Sequence, residues 1–81
     1  MSTLRTQITD RSGKTWTLET RIEEWPGTGF SSVISSPDGQ SGFRQTYSTW
    51  ETATVGHHGA ALAKIHQMIE RAEAGVGHDV T

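Results

Sequence analysis

Cysteine is absent from these 81 residues, and so is asparagine. Without cysteine the chain builds neither a disulfide scaffold nor a thiolate-ligated zinc module. A large excess of one charge is missing too. Seven Lys and Arg stand against nine Asp and Glu, a formal net charge of −2. That balance excludes a strongly basic nucleic-acid domain. It also removes the charge repulsion that keeps weakly apolar chains unfolded. Apolar residues are scarce, with Leu, Ile, Val and Phe numbering 14 together. No run of them approaches the ~18 residues of a membrane-crossing helix. Residues 1–10 show no apolar stretch behind a positive charge, so no secretory leader is expected and a cytoplasmic location fits.

What the chain does have is pattern. Leu4, Thr6 and Ile8 alternate with Arg5, Gln7 and Thr9; Trp16, Leu18, Thr20 and Ile22 alternate with Thr15, Thr17, Glu19 and Arg21. Period-two alternation marks strands with one buried face, and Asp10-Arg11-Ser12-Gly13 between them marks a hairpin turn. Trp25-Pro26-Gly27-Thr28-Gly29 breaks the pattern. A third strand is predicted over Phe30–Ser35, then a turn at Ser36-Pro37-Asp38-Gly39, then a fourth strand from about Gly42 to Ser48.

From Trp50 onward the period becomes helical. Ser48 or Thr49 is placed to cap the helix, and Ser48 with Glu51 fits a capping box. At about 100° per residue, Trp50, Val55, Ala61, Leu62, Ile65, Met68, Ile69 and Ala72 gather on one arc. Gly75 stands where a helix-ending glycine belongs. One apolar sheet face and one apolar helix stripe call for each other. The expected fold is α+β: a four-stranded antiparallel meander (ββββα) with the C-terminal helix packed on one face. Residues 1–76 form the domain and residues 77–81 a flexible tail.

Tyr47-Ser48-Thr49-Trp50-Glu51-Thr52-Ala53, followed by Gly56-His57, resembles a pattern in small accessory proteins of actinobacteria and their phages. In that pattern an aromatic, a Ser/Thr cap, acidic residues and Ala precede Gly-His inside a helix. The resemblance covers about residues 40–66, and Thr52 stands where a second acidic residue is more common. It implies a phage or prophage accessory role and carries no active site to transfer.

Catalytic constellations are weak. Gly13-Lys14-Thr15 lacks the upstream glycine of a phosphate loop, since Ile8 stands there, and it joins strands rather than opening a helix. Gly27-Thr28-Gly29 starts a dinucleotide fingerprint that Ser32 fails to complete. No serine sits in a nucleophile elbow. Glu23 and Glu24 are adjacent on an extended chain and so point apart. On the helical wheel His58 falls inside the apolar arc, with His57 and His66 flanking it. His58 is therefore expected to pack on the sheet as a neutral imidazole, bonded to a strand group such as Tyr47. His66 and Glu70 are spaced as two metal ligands, with no third ligand placed. The expectation is no enzyme, no cofactor and no metal.

Two surfaces remain as binding candidates. One is the loop Glu23, Glu24, Trp25, Pro26 through Phe30, where Trp beside Pro suits an interface anchor and the acidic pair suits a basic partner; equally, Trp25 suits closure of the thin core. The other is the polar sheet face, where Arg5 and Arg21, joined by Arg44, suit nucleic acid, although basic and acidic residues balance over residues 1–50. The leading expectation is a non-catalytic protein-binding module that blocks a host or phage protein complex sterically. The alternatives are nucleic-acid binding through the sheet, or a homo-oligomeric component such as a homodimer.

Overall fold

The computed structural model describes residues 3–22 and 29–80. It contains the expected ββββα arrangement. Strands β1 (Thr3–Thr9), β2 (Thr15–Ile22), β3 (Phe30–Ser35) and β4 (Ser41–Tyr47) form one antiparallel sheet in the order 1-2-3-4. One helical rod follows, made of α1 (Trp50–Gly56), a π-helical turn (His57–Ala61) and α2 (Leu62–Val80). No helix among the described residues is long and apolar enough to cross a membrane.

The two tight hairpin turns follow one chemistry. Asp10 Oδ1 accepts from the Ser12 and Lys14 amides at 2.9 and 3.0 Å and from the Ser12 hydroxyl at 2.6 Å, while Gly13 takes φ +87°. Asp38 binds the Ser36 hydroxyl, and Gly39 takes φ +90°. Both are Asx-type turns that glycine completes by entering the left-handed region without a Cβ clash. Asp10 also accepts from the Trp16 indole through Oδ2 at 3.0 Å, so the first turn positions a core side chain.

Register then sets the faces. Leu4, Thr6 and Ile8 of β1 lie opposite Thr20, Leu18 and Trp16 of β2. Leu18 pairs onward with Ile34, and Ile34 with Phe43. Against this face α2 lays Ile65 and Ile69, preceded by Ala61, so the apolar core is Trp16, Leu18, Ile34, Ala61, Ile65 and Ile69. Ile8, Phe43, Leu62 and Met68 pack around its margin. Six side chains are few, and only Trp16 among them is aromatic, so the core is as thin as the low aliphatic count implies.

Three details of the helix differ from expectation. The cap is Thr49, and its box is closed by Thr52 instead of by Ser48 and Glu51. The Thr49 hydroxyl accepts from the Thr52 amide at 3.1 Å, and the Thr52 hydroxyl accepts from the Thr49 amide at 3.3 Å. Val55, expected inward, is 73% exposed, and Ala72 is exposed as well. The helical backbone runs on through Gly75 to Val80.

The π turn explains the largest difference. Uniform steps of about 100° place His58 about 20° from Ile65 and His57 about 80° away. A π turn holds about 4.4 residues, so five residues in it rotate about 90° less than five α-helical ones. That correction swings His57 onto the Ile65 line and His58 off it. Accordingly His57 is 1% exposed and His58 is exposed. Ala53, His57, Ala61, Ile65 and Ile69 all face inward at four-residue spacing, a run whose two ends a straight α-helix would set about 160° apart.

Candidate functional site

The inner face of the sheet is not uniformly apolar. Thr6 and Thr20 sit at core-facing positions of β1 and β2, and Ser32 pairs with Thr20 across β2 and β3. A buried hydroxyl without a partner is costly, so such positions need polar company. His57 supplies it. Its Nδ1 meets Thr20 Oγ1 at 2.7 Å and its Nε2 meets Thr6 Oγ1 at 2.9 Å. Thr20 Oγ1 shares a short hydrogen bond with Ser32 Oγ, which also accepts from the Tyr47 hydroxyl at 3.0 Å. One chain of polar contacts, Thr6–His57–Thr20–Ser32–Tyr47, therefore touches all four strands, with His57 of the helical rod bridging β1 and β2. No buried side-chain polar atom among the described residues lacks a partner.

Glycine geometry fits Tyr47 into this chain. A Cβ on Gly56 would lie 2.3–2.6 Å from atoms of the Tyr47 ring, so only glycine lets the ring cross the helix there. Phe30, at the start of β3, packs on Trp50 with ring centroids 5.3 Å apart and tilted by 59°. The Phe30 ring is thus engaged with the first residue of α1.

Electrostatics keep His57 neutral. Burial lowers its pKa below the ordinary imidazole value, and the neighbouring His58 ring pushes the same way. The His58 ring stands edge-on at 5.0 Å. Hydroxyls donate or accept, so either tautomer satisfies both contacts. A hydroxyl on Nδ1 has the outline of a nucleophile–base pair, but Thr20 and Ser32 are fully buried, and the other ring nitrogen meets the Thr6 hydroxyl where a triad would place a carboxylate. The inward histidine expected from the sequence is therefore His57, not His58, and it bonds to Thr6 and Thr20, with Tyr47 reached through Ser32. The two core-facing hydroxyls of the strands were the sequence signal for this network.

The other expected residues fall as follows. Glu23, Glu24, Trp25 and Pro26 lie outside the described residues. Gly13-Lys14-Thr15 is the exit of the first hairpin turn. His66 and Glu70 are both exposed, and among the described residues no group of three His, Cys, Asp or Glu side chains converges as a metal site. At the hairpin end a depression of about 520 Å³ lies between Trp16, Pro37 and Ala72. Its carboxylates are already engaged: Asp10 by its turn, Asp38 by Ser36, and Glu73 by the Arg11 amide at 2.9 Å. The turn contacts, the Ser12 hydroxyl first and the Trp16 indole next, hold Asp10 down to a pKa of about 2.

The opposite face of the sheet carries no covering element among the described residues. Register places Arg5, Glu19, Val33 and Arg44 in one row across all four strands. Thr3, Arg21, Ser31 and Thr46 make the next row. Arg5, Arg21 and Arg44 therefore share one face, as the strand parity suggested. Arg21 Nε stands 3.7 Å from Glu19 Oε1, an exposed pair worth under about 1 kcal/mol. Arg5, Arg21, Glu19 and Val33, with Ser31 and Ser35, line a depression of about 350 Å³.

These features define a small α+β protein: an antiparallel four-stranded meander, roofed on one side by a helix that is pinned through a buried histidine. Comparison with known proteins adds no relative, because no family model, curated protein or solved structure matches the chain.

Proposed function

We propose that this chain is a non-catalytic protein-binding module whose working surface is the uncovered face of the sheet. The observation that supports it is the depression between Arg5 and Arg21, with Val33 and the hydroxyls of Ser31 and Ser35 beside them. Two guanidiniums flanking an aliphatic patch suit a partner segment that presents a carboxylate next to a small apolar side chain. Glu19 within the same depression disfavours a continuous phosphate track and favours a protein of mixed charge. The polar chain from Thr6 to Tyr47 belongs to this reading as scaffolding. It holds a thin sheet rigid so that the outer face presents its side chains in fixed register. The resemblance around Tyr47–His57 agrees with an accessory protein of phage or prophage origin that occupies a host complex sterically.

One observation favours a second reading. Arg44 joins Arg5 and Arg21 on this face, and three arginines on a sheet suit nucleic acid. Affinity capture from lysate separates the two, with wild type, Arg5→Ala/Arg21→Ala and Trp25→Ala run in parallel, with and without nuclease. Both arginines lie at exposed positions, so the double variant keeps the wild-type melting temperature. The leading reading expects a defined protein captured by wild type, resistant to nuclease and lost in the arginine variant. Nuclease-sensitive capture supports the second reading. Equal capture by wild type and the arginine variant refutes both, and loss only in Trp25→Ala moves the surface to the loop.

A further inference from the structure

The sheet is open, so β1 and β4 are its edges among the described residues. Each edge presents a row of unpaired backbone groups, a template for another strand. The edges differ in how they are guarded. Beside β4 the register shifts at Ile34/Ser35, an irregularity of the kind that twists an edge away. Along β1 the pairing with β2 is continuous from Thr3↔Arg21 to Thr9↔Thr15, with no bulge, proline or lysine.

The sequence of β1 is Thr3-Leu4-Arg5-Thr6-Gln7-Ile8-Thr9. Read from either end it is the same chemistry: threonine, aliphatic, long polar, threonine, long polar, aliphatic, threonine. An antiparallel pair formed about a two-fold axis at Thr6 places Leu4 opposite Ile8 of the second copy, Arg5 opposite Gln7, and Thr3 opposite Thr9. Every pair is compatible, and opposed residues in an antiparallel pair point to the same side. Leu4 and Ile8 face the core yet are only half-buried, and among the described residues no strand lies beyond β1. The second copy's Ile8 and Leu4 would cover them. Shifting the axis to Arg5 sets like charges face to face. The same operation on β4, centred on Arg44, does so too. A β1-to-β4 contact is heterologous and runs on without closing.

We propose that β1 is a self-association edge, through which two copies pair antiparallel about Thr6 into one eight-stranded sheet with both helices on the same side. This association rests on the β1 edge and not on what the uncovered face binds, although Arg5 belongs to both.

Gln7 tests it, because Gln7 is exposed and opposes Arg5 of the second copy. Gln7→Glu creates two symmetry-related Arg–Glu pairs per dimer, and Gln7→Lys creates two like-charge pairs. Each cross-strand pair is counted twice, so the dimer dissociation constant changes by between about two- and thirtyfold, tighter for Glu and weaker for Lys. Sedimentation equilibrium over a concentration series up to ~1 mM measures it. Amide hydrogen exchange adds a backbone readout, with protection of alternate β1 amides rising with concentration. A dimer that responds in both directions, with that protection, supports the proposal. A monomer throughout overturns it, as does a dimer indifferent to Gln7 or one protected at β4. Open-ended oligomers overturn it as well.

Discussion

Replacing His57 by leucine perturbs the buried polar chain while keeping side-chain volume roughly constant. The structure sets the size of the effect. At pH 7.5 the variant loses two hydrogen bonds, at 2.7 and 2.9 Å. Thr20 keeps its bond to Ser32, and Thr6 lies on the edge strand where water reaches it. The penalty is then one partly compensated buried hydroxyl and two modest bonds, about 1–3 kcal/mol. The pH dependence carries the sharper test. The folded-state pKa of His57 is lowered, so the unfolded chain takes up the proton first. Wild-type stability is therefore whole above the unfolded value of about 6.5 and falls as the pH drops below it. The fall is at most about 1.4 kcal/mol per pH unit, or about 2 kcal/mol by pH 5, and stops once the folded imidazole also protonates. The leucine variant lacks this group. The two stability curves therefore converge between pH 6.5 and 5, after standing apart at pH 7.5. Urea denaturation of both proteins at pH 7.5, 6.5, 5.8 and 5.0 measures the gap. A constant gap across that range refutes the assignment of His57 as the buried neutral group.

Gly56→Ala and Gly59→Ala should act in opposite directions. Both remove backbone entropy from the unfolded chain and gain up to about 1 kcal/mol of helix propensity. At Gly59 the new methyl meets nothing within 4 Å, whereas at Gly56 it enters the Tyr47 ring. Thermal melts should show Gly59→Ala stabilised and Gly56→Ala below it by the overpacking cost, about 1–3 kcal/mol; equal melting temperatures would count against the Tyr47 packing. Asp10→Ala removes the acceptor of four hydrogen bonds, including the one to the Trp16 indole. The variant should show an altered indole environment by tryptophan fluorescence. In the wild type the folded Asp10 pKa lies below its ordinary 3.8. Its contribution is thus present above 3.8, fades as the pH falls toward 2, and stays outside the His57 window.

Much of the molecule was legible in one dimension because its signals are local. Alternation at Leu4–Ile8 and Trp16–Ile22 is a two-residue period, and a strand obeys it wherever it sits. Asp10-Arg11-Ser12-Gly13 and Ser36-Pro37-Asp38-Gly39 are short-range turn chemistry. Arg5 and Arg21 share a face by parity alone. The identity of the inward histidine was not legible, because it depends on the helical phase accumulated between Ala53 and Ile65. A wheel of constant pitch selects His58; the π turn at His57–Ala61 selects His57. Val55 was misplaced for the same reason, since it precedes the phase correction.

By itself the sequence determined the element order, the two tight turns, the inward and outward faces of the strands and the thinness of the core, since each rests on contacts between residues near in the chain. Only the tertiary structure decided which histidine turns inward. Thr20 is a buried hydroxyl whose histidine partner stands 37 residues further along the chain, and the helix brings His57 to it by loosening one turn. It likewise decided that the three arginines stand in adjacent rows of one surface, because register across four strands is set by pairing between distant segments.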